Sequence, residues 1–475
     1  MYLNFLADYS GIDAIPHLSS SRTDSSSTSP SFVPFKLRED TWTITYLDRK
    51  LVLRMSDKIG QPISPCDNPT KSGSIGLFVR LGTGSGSGDQ RSTWTQEQTY
   101  LLTTRHVVCS DDMTEDIGHP DPPGEDHGGR SHNEKAAAPA SIDIMQLGTD
   151  KYEEVMAKLK RELTRKQKYI DAMSPLYQDY GDDTAGLPKP SFTYTMTLQE
   201  LKCLQEFKDH CNTLRSPAAR RVGPVAFSPA LGIRDGYRRD WALVSSAYQG
   251  ANSSCIFHFH GEDHDKLRDR VRPEFSVTVE GHTGQDMLRD FISLNAVCSR
   301  ETIERHFTVP LLTDGSIKAE ASDETTAGDD EFLVYKYGAE TGSTCGALNC
   351  ISSRHHEKLG GIITDYCVIS PKDPFSAKGD SGSAVFGVLP VSAADSSDGS
   401  DGVPQRQGED DAGPDSKVRA AKHNYTPVVI GIMWGGNEDQ WKRPLHDVTY
   451  VTPIETILDD IEEYTGLPVV GLKRY

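Results

Sequence analysis

From about residue 41 the chain alternates apolar and polar positions. TWTITYL and KLVLRM alternate, SIGLFVRL follows, and TYLLTTRHVV is a fourth apolar run, with glycine and serine between them as in LGTGSGSGDQ. Short runs with period 2 at hairpin spacing predict strands of a sandwich or barrel. The second half repeats the pattern in FSVTV, FISLNAV, FLVYKYG, GALNCI, IITDYCVI, SAVFGVL, PVVIGIMWGG and VTYVTPI. Between the halves the period changes. Tyr152, Val155, Met156, Leu159, Leu163 and Ile170 recur at helical spacing. So do Leu198, Leu201, Leu204 or Gln205, Phe207, Cys211 and Leu214, which predicts a pair of amphipathic helices packed on each other. Ile454, Ile457, Leu458 and Ile461 form one stripe after Pro453, predicting a closing helix. Three tracts bury too little to offset ordering entropy and read as mobile: 18–31, 111–137 and the acidic 392–417. The expected map is therefore a loose segment 1–40, a β-rich half 41–250 with an insertion at about 110–220, and a second β-rich half 251–475 with an insertion at about 390–420.

Composition narrows the function. The 475 residues carry 50 basic and 69 acidic side chains, a net charge of −19. That balance argues against general nucleic-acid binding, which needs local positive charge against phosphates. Nine cysteines at irregular spacing do not read as a disulfide framework. The opening MYLNFLADYSGIDAIP has no basic region, and Asp8 interrupts its apolar run, so no secretory signal is read. No apolar run reaches the length of a membrane span. An intracellular protein, cytoplasmic or nuclear, is expected.

The stretch FSAKGDSGSAVFG sets Ser381 between glycines and beside Asp380. A serine hydroxyl is a poor nucleophile at neutral pH. It needs a base for its proton, and the base needs an orienting acid. His106 follows the run TYLLTTR, and Asp240 directly precedes WALV, so each sits at a strand's edge. Singly these are weak signals. Their weight lies in the order His, Asp, Ser, each in a specific local phrase.

Those phrases resemble the chymotrypsin- or trypsin-like serine proteases. TTRHVV is similar to the histidine phrase, RDWALV to the aspartate phrase and KGDSGSAVF to the nucleophile phrase. KYGAETGSTCGAL resembles the strand pair before the nucleophile, GIMWGG the substrate-pairing strand after it, and PIETILDDI the closing helix. The arrangement looks most like fungal intracellular trypsin-like proteins. A mainly β fold is expected, with the helical-hairpin insertion read above, which lies outside the resemblance. The resemblance implies two antiparallel six-stranded barrels and a C-terminal helix. It implies His106 as base, Asp240 as orienting acid and Ser381 as nucleophile. The N–H groups of Gly379 and Ser381, with Asp380 between them, would form an oxyanion hole contributing roughly 3–4 kcal/mol to the transition state. Phe375 would floor the specificity pocket, and Met433, Trp434 and Gly435 would wall it and pair with substrate as an added strand. An apolar or small side chain would be preferred on the acyl side, Asp373 being the nearest carboxylate.

Departures accompany the likeness. Arg105 stands where alanine is usual, position 377 is Ala where secreted relatives carry a cysteine, and the N-terminus lacks their small apolar start. His106 and Asp240 are separated by the acidic loop and the helix pair. No cofactor or metal is expected. FHFHGEDH, with His258, His260 and His264, and the set Cys345, Cys350, His355, His356 and Cys367 lack any regular metal-ligand spacing. Expected partners are a protein or peptide substrate and, through the helical insertion, a protein. The competing reading is a silent or occluded protease-fold scaffold.

Overall fold

In the computed structural model the residues described are 51, 54–56, 58–83, 96–110, 113–118, 141–178, 192–246, 255–257, 291–307, 332–356, 362–370, 374–391, 424–436 and 447–475. They lie within one compact unit, Ser31–Tyr475. The tracts 18–31 and 392–417, the runs TWTITYL and FSVTV, and His258, His260 and His264 lie outside the described residues.

The alternating runs of the first half become strands of one antiparallel sheet: β1 (Pro62–Pro65), β2 (Gly73–Ser74), β3 (Leu77–Thr83), β4 (Gln96–Thr103), β5 (Asp143–Gln146) and β6 (Arg221–Phe227). A hairpin, β7 (Gly232–Arg234) and β8 (Tyr237–Arg239), leads into β9 (Ala242–Ser245), which returns between β4 and β6. KLVLRM departs from the expectation: of its described residues, Leu51 is helical and Arg54 and Met55 lie in a turn. Leu51 and Met55 are nevertheless buried in the core beneath this sheet.

A short pair, β10 (Cys255–Phe257) and β11 (Phe291–Ser293), precedes β12 (Ala296–Val297). The second half then supplies β13 (Leu333–Gly338), β14 (Gly342–His356), β15 (Ile362–Ser370), β16 (Ala384–Val391), β17 (Asn424–Gly436) and β18 (Asp447–Pro453). These run β16-β13-β14-β15-β18-β17, and β17 pairs back with β16, so six strands close into a barrel. β12 adds to β17 in parallel. The fold is thus mainly β, a closed six-stranded barrel beside a curled half-barrel sheet, as expected. Near the C-terminus β19 (Val469–Val470) joins the first sheet at β3, and β20 (Lys473–Arg474) joins the second at β12.

The strands between the two sheets are buried on both faces, and their period of 2 divides them between two cores. On β13, Tyr335 and Tyr337 enter the first core while Val334 enters the barrel interior. On β16, Ala384 and Phe386 face the first core and Val385 the second. Lys336 shares the Val334 face. This arithmetic puts an ammonium group inside the barrel, where it is 0% exposed.

The helical period in the middle of the chain gives α1 (Thr149–Met173) and α2 (Phe192–Thr213). Tyr152, Val155, Leu159, Leu163 and Ile170 are buried, as are Cys203, Leu204, Phe207 and Cys211. Leu198 was expected in that stripe but is 40% exposed. The helices are also joined by polar bonds. Tyr152 Oη donates to the Cys211 carbonyl at 2.8 Å, and Lys166 and Glu200 pair in a buried contact at 2.5 Å. After α3 (Arg300–Phe307), the predicted closing helix is α4 (Ile454–Thr465), with Ile454, Ile457, Leu458 and Ile461 all in the first core. No helix among the described residues is long and apolar enough to cross a membrane.

Candidate active site

TTRHVV turns out of β4 as a single helical turn, Arg105–Val108. The chain reverses because β4 ends against β9, which pairs Thr103 with Ala242. Asp240 sits two residues before β9, so it meets His106 beyond the end of β4 although the two are 134 positions apart. His106 Nδ1 lies 2.7 Å from Asp240 Oδ2, and the His106 backbone N–H donates to Asp240 Oδ1 at 2.9 Å. Arg238 Nε donates to Oδ2 at 3.1 Å. Burial works against the Asp240 carboxylate, but the His106 ring, the Arg238 charge and the His106 N–H outweigh it. The net effect holds this carboxyl well below the usual range.

Arg105 has a structural use. Its guanidinium is buried and donates to the carbonyls of Ser228, Pro229, Met113 and Glu115 and to Ser228 Oγ, at 2.8–3.1 Å. Ile117 also exchanges backbone bonds with Ser228. The first residues of the supposed mobile loop, 113–118, are therefore tied down, because a buried cation collects their carbonyls. Arg220 does the same at the far end of the insertion. It donates to the Leu147, Leu214 and Arg215 carbonyls at 2.8–3.0 Å and lies over the Tyr152 ring. An alanine at 105 would leave those acceptors without their donor. The insertion thus leaves and rejoins the sheet beside two buried arginines.

Ser381 comes from the turn Ala377–Ser383 ahead of β16. Asp380 N–H donates to Ala377 O, and Ser383 N–H and Oγ–H both donate to Asp380 O. Gly379 and Gly382 have φ of +103° and +93°, a backbone region that favours glycine. The turn docks on the first sheet. Ser74 N–H donates to Ser381 O at 2.8 Å, and Ser74 Oγ donates to Gly379 O at 3.2 Å. A Cβ built on Gly73 would meet both Val107, the residue after His106, and Ser381 O. The structure therefore brings the His106 turn and the Ser381 turn together across β2. Ser381 Oγ donates to the Trp434 carbonyl at 3.3 Å. Neither the Gly379 nor the Ser381 N–H donates to another described residue.

Asp380 is not a donor at the site. Its N–H is spent within the turn, and its side chain points into the barrel. Oδ2 accepts from Lys336 Nζ at 3.1 Å, Thr341 Oγ1 at 2.7 Å and Ala377 N at 2.9 Å. Oδ1 accepts from the N–H groups of Glu340 and Thr341. Burial alone would raise its pKa, but Lys336 and these donors hold the carboxyl below its ordinary value. Lys336 supplies the cation that faces the Asp380 carboxylate. Glu340 also links the turn to the insertion, where Lys151 of α1 meets its carboxylate at 2.8 Å.

The pocket residues are placed differently from the expectation. Phe375 is fully buried in the second core with Lys336 Nζ above its ring, so the ring cannot be an exposed floor. Met433 is buried too, and its backbone is engaged by the nucleophile turn: Gly382 N–H donates to Met433 O, and Met433 N–H to Ser383 O. Trp434 and Gly435 remain partly exposed. Asp373 lies outside the described residues. The carboxylate that does reach this region is Asp447, at the start of β18, whose Oδ2 accepts from Phe375 N and Ser376 N. Ser376 Oγ and Thr449 Oγ1 lie 2.6 Å apart beside it. Sequence reasoning missed Asp447, Lys336 and Arg238. Only Lys336 carried a signal, a charge inside an apolar strand.

Among the described residues no cluster of His, Cys, Asp or Glu is arranged to hold a metal ion. Cys345 stands opposite Tyr335 and Cys367 opposite Asn349, on different strand pairs. Cys350, His355 and His356 fall on β14 with side chains outside the description.

No protein-family profile and no curated sequence matches the chain. Some solved structures are similar. Thermobifida fusca protease A aligns over 87% of this chain and 98% of its own, at 12% identity and a TM-score of 0.29. A glutamic-acid-specific serine protease that uses a histidine triad in substrate binding aligns over 87% and 99%, at 9% and 0.30. Nocardiopsis protease aligns over 87% and 97%, also at 9% and 0.30. At such values the likeness assigns no role to any residue of this chain.

Proposed function

We propose that the chain is a serine endopeptidase acting through His106, Asp240 and Ser381. The observation that carries the reading is the doubly bonded His106–Asp240 pair, set across β2 from a serine on a glycine-flanked turn. Asp240 fixes the ring so that Nδ1–H points at the carboxylate and Nε2 is left to take a proton. Ser381 would attack the scissile carbonyl as His106 removes its proton, forming an acyl-enzyme. His106 would then protonate the leaving amine. The N–H groups of Gly379 and Ser381 would receive the oxyanion. The strand at Trp434 and Gly435 would pair with an extended peptide. The side-chain pocket is read as polar, bordered by Ser376, Thr449 and Asp447. The finer likeness to fungal intracellular trypsin-like proteins rests on the sequence phrases alone, and so does the intracellular setting.

A silent scaffold is the second reading, favoured by the Ser381 hydroxyl being bonded to the Trp434 carbonyl instead of the His106 ring. Resting sites commonly hold such bonds loosely and align them only around substrate. A fluorophosphonate probe separates the two readings, because it labels activated serines. Labelling of the full chain is expected to map to Ser381 and to vanish in Ser381→Ala and His106→Ala. Asp240→Asn should lower turnover by about four orders of magnitude through the wrong ring tautomer. A folded wild-type chain that takes up no probe leaves the scaffold reading.

A further inference from the structure

Arg238 and Arg239 are consecutive on β8, so their side chains leave opposite faces. Arg239 goes to Asp460 of α4. Arg238 goes to the site, where it meets two groups at once. Its Nε is 3.1 Å from Asp240 Oδ2, and its Cζ lies 4.2 Å from the centroid of the Trp434 ring. Trp434 is the residue at which β17 slips register against β18, between Met433 and Gly435. Its carbonyl accepts from Ser381 Oγ, and its ring is backed by Tyr450 at 5.4 Å and 21°. One planar cation therefore lies between the acid of the first sheet and the strand of the second that receives the serine hydroxyl.

We infer that Arg238 is a positioning residue for the His106–Asp240 pair, holding the carboxylate to its ring and placing a fixed positive charge where His106 must gain a proton. The inference rests on the hydrolase reading for its kinetic form, but not for its structural form. An arginine is required because the planar guanidinium can stack on an indole and donate from its edge in the same pose, which an ammonium cannot. Asp240 Oδ2 takes both the ring Nδ1–H and the Arg238 Nε–H, and Oδ1 takes the His106 N–H, so the carboxylate is held on both oxygens. Among the described residues the charged groups bonded at the pair or on its turn are Asp240, Arg238 and Arg105, whose donors are on carbonyls and Ser228. Of these, Arg238 is the cation that shares an acceptor oxygen with the ring. Its charge has the same sign as the one the ring takes on with a proton.

The test compares the full-length wild type with Arg238→Met and Arg238→Lys. In Arg238→Met the acid limb of Ser381 labelling by the fluorophosphonate is expected to move up by about half to one pH unit, from loss of one cation a few ångströms from the ring. The plateau rate should also fall. Arg238→Lys keeps the charge and loses the stacked geometry. It should retain the wild-type acid limb and show the lower plateau. The proton between His106 Nδ1 and Asp240 gives a far-downfield NMR signal, and its pH midpoint should move in Arg238→Met as the acid limb does. That signal needs no turnover. If the wild type does not label, the hydrolase reading fails, while the NMR comparison still decides the role of Arg238. Unchanged midpoints and plateaus in both variants overturn the inference.

Discussion

The two halves of the site are held by different physics. Ser381 rides on a turn whose anchor is the Lys336–Asp380 pair, both side chains 0% exposed inside a closed barrel, with Lys336 also donating to Thr341 Oγ1. His106, 29% exposed, stands at the edge of an open sheet beside the buried Asp240, and the supports of this half are arginines of the β7–β8 hairpin, 14–25% exposed, that reach to Asp240 and to Asp460 of α4. Charge shielded from water cannot be weakened gradually, because removing one partner strands the other. Where one partner of each pair is an arginine partly open to water, its charge is screened and its loss is felt less. The serine half should therefore break all at once, and the histidine half by degrees.

The largest effect is expected at the buried pair. Lys336→Met leaves the Asp380 carboxylate without its cation and should lower unfolding stability by about 3–5 kcal/mol, read by chemical denaturation. Adding Asp380→Asn in the same chain should restore part of that loss by removing the stranded charge. If the double variant is no more stable than Lys336→Met, the pair is not the anchor and the contrast between the halves dissolves.

Asp460 gives an intermediate effect on the other half. Its buried carboxylate accepts from Arg239, Arg234 and Trp241 Nε1, and so clamps the β7–β8 hairpin and the residue after Asp240 to α4. Asp460→Asn should cost roughly 2–3 kcal/mol in thermal unfolding. It should also slow Ser381 labelling without abolishing it. A loss as complete as that of Lys336→Met would mean that the two halves are equally rigid.

The smallest effect concerns the insertion. Hydrogen bonding from Lys158 lowers the Glu154 carboxyl to about 2 from an ordinary 4.5, with Lys151 and Arg54 adding to it. A depressed folded-state pKa means that its contribution is present above pH 4.5 and lost as pH falls towards 2. Glu154 is 37% exposed, so solvent screening keeps that contribution under about 1 kcal/mol. Glu154→Gln should thus be slightly less stable than wild type at neutral pH and equal to it near pH 2. A gap that persists at pH 2 would assign its role to packing.

Much of this protein could be read along the chain, for a local reason. Strands and helices announce themselves by period because burial acts on neighbouring residues two or three to four apart. The phrases around His106, Asp240 and Ser381 are legible because each needs its own backbone: a strand's end, a strand's start, a turn with glycines at positive φ. What holds those residues is not local. Lys336 meets Asp380 across 44 residues, and Arg239 meets Asp460 across 221. A charge in an apolar strand or an arginine pair in a hairpin looks the same in sequence whatever it faces. The misplaced pocket has the same origin. Phe375 is placed by its offset from the nucleophile and Met433 by the phrase GIMWGG, but which face of a strand or turn meets the core is settled only when the barrel closes. Closure directed both side chains inward and set Asp447 on the Phe375 and Ser376 N–H groups, with Thr449 beside Ser376.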